Sequence, residues 1–358
     1  MHTSLPRTSG RRDPVVGPGA DLLDHVHAVI GGTNFFAGKT PANALTSAET
    51  TCDKELDHSI YWVSQLYHIT PDNEYEMVEF KGPAVYYQNR ACDTSLDARP
   101  ARATGPTSHA LSPEGLQMVA GDPMKRTFDQ SDIEQRAVNH LCFLRGGGSV
   151  QPNSLPLEQC IETRSQVTFP SCWNGKDLDS PDHKSHRRSS RVAPDRGHHH
   201  LLRVLLQHVE LQRPQLRLRA GDKTGYGFHG DFVNGWKDLQ RLGDARRTCT
   251  GREGVDAPGR SLNVGANGTP GTATPRSPEK PGPAEEIGLN GAVLAQLPGG
   301  KIPLRRDAGA GQAEPRHGRG VLITLFAGDG LLGMEEGVVS ELCWIEIRLL
   351  HIYKAATA

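Results

Sequence analysis

Residues 166–186 read QVTFPSCWNGKDLDSPDHKSH. The run opens as a strand, with Val167 and Phe169 alternating against polar neighbours, and then loses all periodicity. Pro170, Asn174, Gly175 and Pro181 punctuate it, and three Asp, two His, a Cys and a Trp fill the spaces. Neither a 3.6-residue nor a 2-residue apolar repeat survives such a pattern, so a core helix and an ordinary strand are both excluded. What remains is a long, ordered, polar loop hung on strands.

The segments around it agree. DHVHAVIGG (24–32), YWVSQLY (61–67), MVEF (77–80), AVYYQ (84–88), LQMVAGD (116–122) and SQVTF (165–169) are short, rich in Val, Tyr and Phe, and separated by Gly, Pro, Asn and Asp. This is a strand-and-loop signature. The expected fold class is mostly β, a β-sandwich or jelly-roll-like arrangement with long loops and few helices. Residues 187–220 change character: Arg, His, Leu and Gln dominate and aromatics vanish. Residues 221–242 return to the earlier style. From about 246 onward Gly, Pro, Ala and Arg prevail without periodicity. The expected organisation is a disordered N-terminus (1–12), a β-rich domain (13–245, with 187–220 out of keeping), and a low-complexity tail (246–358) that is not a folded domain. The C-terminal third is thus expected to be disordered.

Bulk properties narrow the classes. The chain has 358 residues, 36% of them hydrophobic, with 40 Gly, 25 Pro and a net charge of -1; mean hydropathy is -0.50. A balanced charge gives no electrostatic footprint for nucleic acid, and RRSSR (187–191) is too short and isolated to supply one. No apolar stretch is long enough to cross a membrane; VLITLFAGDGLLGMEEGVV (321–339) is broken by Asp329, Glu335 and Glu336. Seven cysteines without a C-x-x-C pair exclude a zinc ribbon and a thioredoxin-like site. Five of them fall between 52 and 172, which suits disulfides in an oxidising compartment.

Three groups carry possible chemistry. His25 and His27 stand at i and i+2, on one face of a strand. Asp182, His183 and His186, with Asp179, occupy a Pro-containing turn. His229 and Asp231 repeat the i, i+2 spacing, with Gly227 and Gly230 beside them. Convergence of these groups would make either a divalent metal site of zinc, manganese or copper type, or a metal-free site in which an Asp orients a His. Asp182, His183, His186, His229 and Asp231 are the candidate catalytic residues, and Asp182 with Asp231 is the candidate carboxyl pair for glycoside hydrolysis. His25, His27, Tyr226 and Trp236 are the candidate ligand-binding residues, the two aromatics as a stacking platform. Against this stands the ordinary role of Asp and His in turns, capping backbone N–H groups. Trp62 and Trp173 read as core.

FPSCWNGKDLDSPDHKSH (169–186) resembles the hallmark of a fungal secreted family, "domain of unknown function nineteen ninety-six", often found beside sugar-binding WSC modules. DHVHAVIGGTNF (24–35), DHSIYW (57–62, with Ile60 where Asn is usual), PEGLQMVAGDP (113–123) and GDKTGYGFHGDFVNGW (221–236) resemble its other blocks. The family has no settled activity to import. The resemblance implies an extracellular or cell-wall location and a polysaccharide partner. MHTSLPRTSGRRDPVVGPG, at the start, is no signal peptide, so either this member has lost its signal or a first exon lies upstream. The family continues Val-Ala after the hallmark; here Arg187-Arg188 follow, and their codons read one nucleotide later can begin Val-Ala. The segment 187–220 is therefore expected to be a frameshift or splice error, and the region after 246 has a similar character. Three readings compete: a glycan-active enzyme with a His/Asp site, a non-catalytic glycan-binding module, and a defective gene model with no function as written.

Overall fold

The computed structural model describes residues 8–20, 22–35, 45–78 (except 53), 85, 87, 113–188 (except 171 and 175), 216–218, 221–242 and 286–299. Strands dominate: β1 (Thr8–Gly10), β2 (His27–Gly31), β3 (Ile60–Ser64), β4 (Tyr67–Ile69), β5 (Tyr75–Met77), β6 (Gln117–Ala120), β7 (Val138–Leu144), β8 (Ser149–Val150), β9 (Cys160–Val167), β10 (Cys172–Trp173), β11 (Arg187–Arg188), β12 (Leu216–Arg217), β13 (Gly230–Val233) and β14 (Val293–Leu294). The helix α1 (Ile133–Arg136) is one turn, capped by Asp132, whose side chain accepts from the Glu134 and Gln135 N–H groups. The protein is mostly β, in antiparallel sheets ordered β1-β2-β3-β13-β6, β8-β7-β9, β12-β4-β5-β14 and β10-β11.

The five-stranded sheet positions everything that follows. Strands β2, β3, β13 and the edge strand β6 are buried along their whole length, which explains sequences such as HAVIG and IYWVS, where apolar residues fill both faces. The register divides the side chains into two sets. Ala28, Ile30, Tyr61, Val63, Met118, Ala120 and Phe232 face Val138 of β7 and Val167 of β9 in one core. Val29, Ile60, Trp62, Val119 and Val233 face the other way, against Val15 and Phe35. The two sheets approach closely at Gly230: a Cβ there would meet Val167 Cγ2 at 2.8 Å. Pairing aligns Val29, Trp62, Asp231 and Val119 in one row across the second face, and His27 with Ser64 in the next.

A disulfide, Cys142–Cys160, ties β7 to β9 beside the register shift at Phe143/Leu144. In the stretch read as out of keeping, 189–215 and 219–220 lie outside the described residues, whereas Arg187 enters β11 and is 3% exposed. The stretches 243–285 and 300–358, on which most of the expectation of a disordered tail falls, also lie outside them. Residues 286–299 do not behave as a tail: β14 pairs with β5, and Ile287 and Leu297 are buried with Val26, Tyr67, Tyr75 and Met77. Low complexity in the surrounding composition hides this short apolar insertion.

Candidate metal centre

Burying a polar side chain inside a sheet costs free energy unless it finds partners. The second face of the five-stranded sheet carries His27, Ser64 and Asp231 among its apolar residues, all at most 1% exposed. His229, just ahead of β13, is 3% exposed and continues the His27–Ser64 row, its carbonyl accepting from Ser64 N. His25 reaches the same place from the residues before β2.

The three imidazoles meet through the same atom. His229 Nε2 lies 3.1 Å from His25 Nε2 and 3.2 Å from His27 Nε2, with ring centroids 4.4 to 5.4 Å apart. Their other nitrogens show why this matters. His27 Nδ1 is 3.0 Å from the Arg12 carbonyl. His229 Nδ1 is 3.0 Å from the Gly227 carbonyl and 2.7 Å from Ser64 Oγ. A carbonyl only accepts, so both Nδ1 atoms carry the hydrogen in the neutral rings. Both Nε2 atoms then present lone pairs to each other at 3.2 Å. Such a contact is repulsive unless a shared proton or a metal ion sits between the two nitrogens. A tetrahedral ion with metal–nitrogen bonds of 2.0–2.1 Å requires nitrogens about 3.3 Å apart, close to what is found. Backbone carbonyls that fix the second ring nitrogen are the usual support for a histidine ligand.

Two carboxylates adjoin the centre at His27. Asp13, His27 and Asp231 form a second group whose ligand atoms lie within 4.8 Å of one another, as do those of His25, His27 and His229. Asp13 Oδ1 accepts from the Val15 and Val16 N–H groups. Both oxygens of Asp231 are buried and have no hydrogen-bond partner among the described residues; so has Trp62 Nε1, cross-strand from it. Burial, and then the Asp13 carboxylate, push the Asp231 pKa well above the carboxylate range, and Lys184 opposes them. Three neutral imidazoles, two carboxylates and one divalent cation sum to zero charge.

The structure separates the expected single centre into two places. His25, His27, His229 and Asp231 converge. Asp182, His183 and His186 build the hallmark turn along the free edge of β6, where Val119 N donates to His183 O. His186 is buried and engaged at both nitrogens, with Ser180 Oγ and the Gln117 carbonyl; burial lowers its pKa. Asp182 is exposed, and the N–H groups of Ser185 and Lys184 with the Ser180 hydroxyl hold its pKa far below the usual range. His183 sits in the left-handed region (φ 55) and its Nδ1 bonds Asp179 at 2.8 Å. These are turn-holding roles. Asp231 is fully buried, so it cannot flank a glycosidic bond opposite Asp182. Trp236 is 2% exposed, with Nε1 donating to Tyr87 Oη, and offers no face to a ligand. Tyr226 is half-buried and stacked on Phe128. Sequence reasoning missed Asp13, Ser64 and the Arg12 carbonyl; Asp13-Pro14 carries only a turn signal.

No curated protein and no solved structure matches the chain. A family model described as "Domain of unknown function (DUF1996)" matches residues 13–236, a span that begins at Asp13, holds all three histidines and ends at Trp236. The chain belongs to that family.

Proposed function

We propose that His25, His27 and His229 bind a divalent metal, with Asp231 and Asp13 balancing its charge, and that the domain works on an extracellular polysaccharide. The observation that carries the first part is the pair of Nε2 lone pairs of His27 and His229 facing each other at 3.2 Å. Three imidazoles without a thiolate favour zinc or copper over manganese. When bound, the metal would supply Lewis acidity. The protein's part is to hold the His27 and His229 rings in one tautomer, through the Arg12 and Gly227 carbonyls, and to keep the site largely dry. The polysaccharide and the extracellular setting rest on the family resemblance of the sequence, and the Cys142–Cys160 disulfide is compatible with them. Elemental analysis of the purified full chain tests the metal. About one equivalent of zinc or copper per chain is expected, lost in His27→Ala and His229→Ala and kept in His68→Ala. A chain that takes up no divalent metal sinks the reading.

A second reading concerns the chain as written. We infer that a displaced reading frame begins at Arg187, because β11 sets this arginine in a 3%-exposed position, where the family pattern has Val. Sequencing full-length cDNA across codons 180 to 358 decides it: a transcript encoding Arg187-Arg188 in frame rules the idea out.

A further inference from the structure

A cavity of about 190 Å³ opens beside the centre, lined by Gly121, Asp122, Lys125, Asp132, Glu134, Gln135, Val138, Lys184 and Tyr226. It is built from several separate pieces: the turn after β6, the start of α1, the head of β7, the hallmark turn and the loop before β13. For scale, an apolar cavity of about 150 Å³ admits a benzene ring. This one is polar. The carboxylates of Asp122, Asp132 and Glu134 face the ammonium groups of Lys125 and Lys184, so neither an anion nor a cation is strongly favoured. A ring that carries hydroxyls both donates and accepts, and suits such a wall.

Some of the wall is already committed. Asp132 caps α1, Asp122 Oδ1 accepts from Met124 N, and Lys184 Nζ donates to the Gly121 carbonyl and lies 3.5 Å from Glu134. Lys125 Nζ and the Tyr226 hydroxyl have no hydrogen-bond partner among the described residues. Phe128 holds the Tyr226 ring by stacking, centroids 5.7 Å apart and planes 26° from parallel, so the ring is fixed while its hydroxyl stays available.

The cavity and the histidines share a wall. Gly121 follows β6, stands opposite His229 and has φ +85; a Cβ on it would lie 2.4 Å from the Phe228 carbonyl and 3.1 Å from His229 Cβ. Only glycine lets the cavity floor come this close to a ligand's backbone.

We propose that this cavity recognises one uncharged, polyhydroxylated ring of the substrate, adjacent to the metal centre. It rests on the metal reading for its adjacency and on its own wall for its chemistry. Saturation-transfer NMR on the full chain, with trisaccharides of β-1,3-glucose, β-1,4-N-acetylglucosamine and α-mannose as probes and metal content measured on the same samples, tests it. At least one trisaccharide is expected to receive saturation, with Tyr226→Ala and Lys125→Ala each weakening it about tenfold at unchanged metal content. A metal-loaded chain that transfers to none of the three, or whose binding survives both substitutions, overturns the cavity assignment and leaves the metal reading standing. Binding by a chain that holds no metal overturns the metal reading instead.

Discussion

His140 offers a titration that the structure sizes in advance. It lies in β7, fully buried, with Nδ1 at 2.7 Å from Ser165 Oγ and Nε2 at 3.2 Å from the Gly225 carbonyl. The carbonyl takes the Nε2 hydrogen and the serine hydroxyl gives its own to Nδ1, so the neutral ring is satisfied on both sides. Burial lowers its pKa from 6.5 to about 4, against a smaller opposite pull from the Gly225 carbonyl and Asp222. The folded ring therefore stays neutral where the unfolded one takes up a proton. Its contribution to stability is present above pH 6.5 and is lost as the pH falls from 6.5 to about 4. At about 1.4 kcal/mol per unit the whole effect is roughly 3 kcal/mol, of which about 2 kcal/mol is expressed between pH 7 and pH 4.5. Urea unfolding followed by tryptophan fluorescence, at both pH values, in the wild type and in His140→Gln, measures it. Other groups titrate alike in both chains, so the difference between the two pH drops isolates His140. The wild type is expected to lose about 2 kcal/mol more than the variant. Equal losses would mean that His140 is protonated in the folded state and that the hydrogen-bond assignment is wrong.

Three further tests address the scaffold and the centre. Replacing Cys142 and Cys160 with alanine opens a loop of sequence separation 18 and is expected to cost about 3 kcal/mol, a fall of roughly 6–12 °C in Tm by calorimetry for a domain of this size; an unchanged Tm would show that the bridge constrains nothing. Asp231→Leu removes a buried carboxylate without a partner, so the metal-free chain should gain about 1–3 kcal/mol in urea unfolding, while metal uptake drops at least tenfold; a loss of metal-free stability would place an unseen partner on Asp231. Gly31→Ala puts a Cβ 1.9 Å from the Ser59 carbonyl at φ +97 and should cost about 3 kcal/mol or more; a melting curve matching the wild type would mean the β2–β3 register is misread.

Much of the scaffold was legible because buried strands and turn residues write directly into sequence. The segments around His27, Trp62, Met118 and Val167 all became strands of the two packed sheets, and the polar hallmark became a loop bound to the β6 edge. The i, i+2 spacing of His25 and His27 did put both rings at one point, although His25 precedes the strand. The sequence could not say which polar group met which partner, because that depends on register between strands far apart in the chain. His27 meets His229 only because β3 lies between β2 and β13. The hallmark turn looked like chemistry for the same reason that it looked distinctive: Asp179, Asp182 and His186 are dense in hydrogen bonds, which run to side chains and N–H groups of the same turn and to the Gln117 carbonyl. Trp236 failed as a platform because its flanking glycine lets the chain come close, not open: a Cβ on Gly235 would strike the His58 carbonyl at 2.6 Å.

The packed segment 286–299 changes where the working unit ends. Every histidine of the centre lies at or before residue 236, where the family match stops. Yet Ile287 and Leu297 share a buried cluster with Val26, the residue between two of those histidines, and the backbone of Gly299 stands against Asp24, where a Cβ would come 2.4 Å from the carbonyl. A polypeptide cut at the family boundary would keep all the ligands and lose the buttress behind them. Ligand inventory and ligand placement are thus encoded in stretches of the gene that can be separated, and a shortened protein that fails to hold metal would be reporting on the buttress.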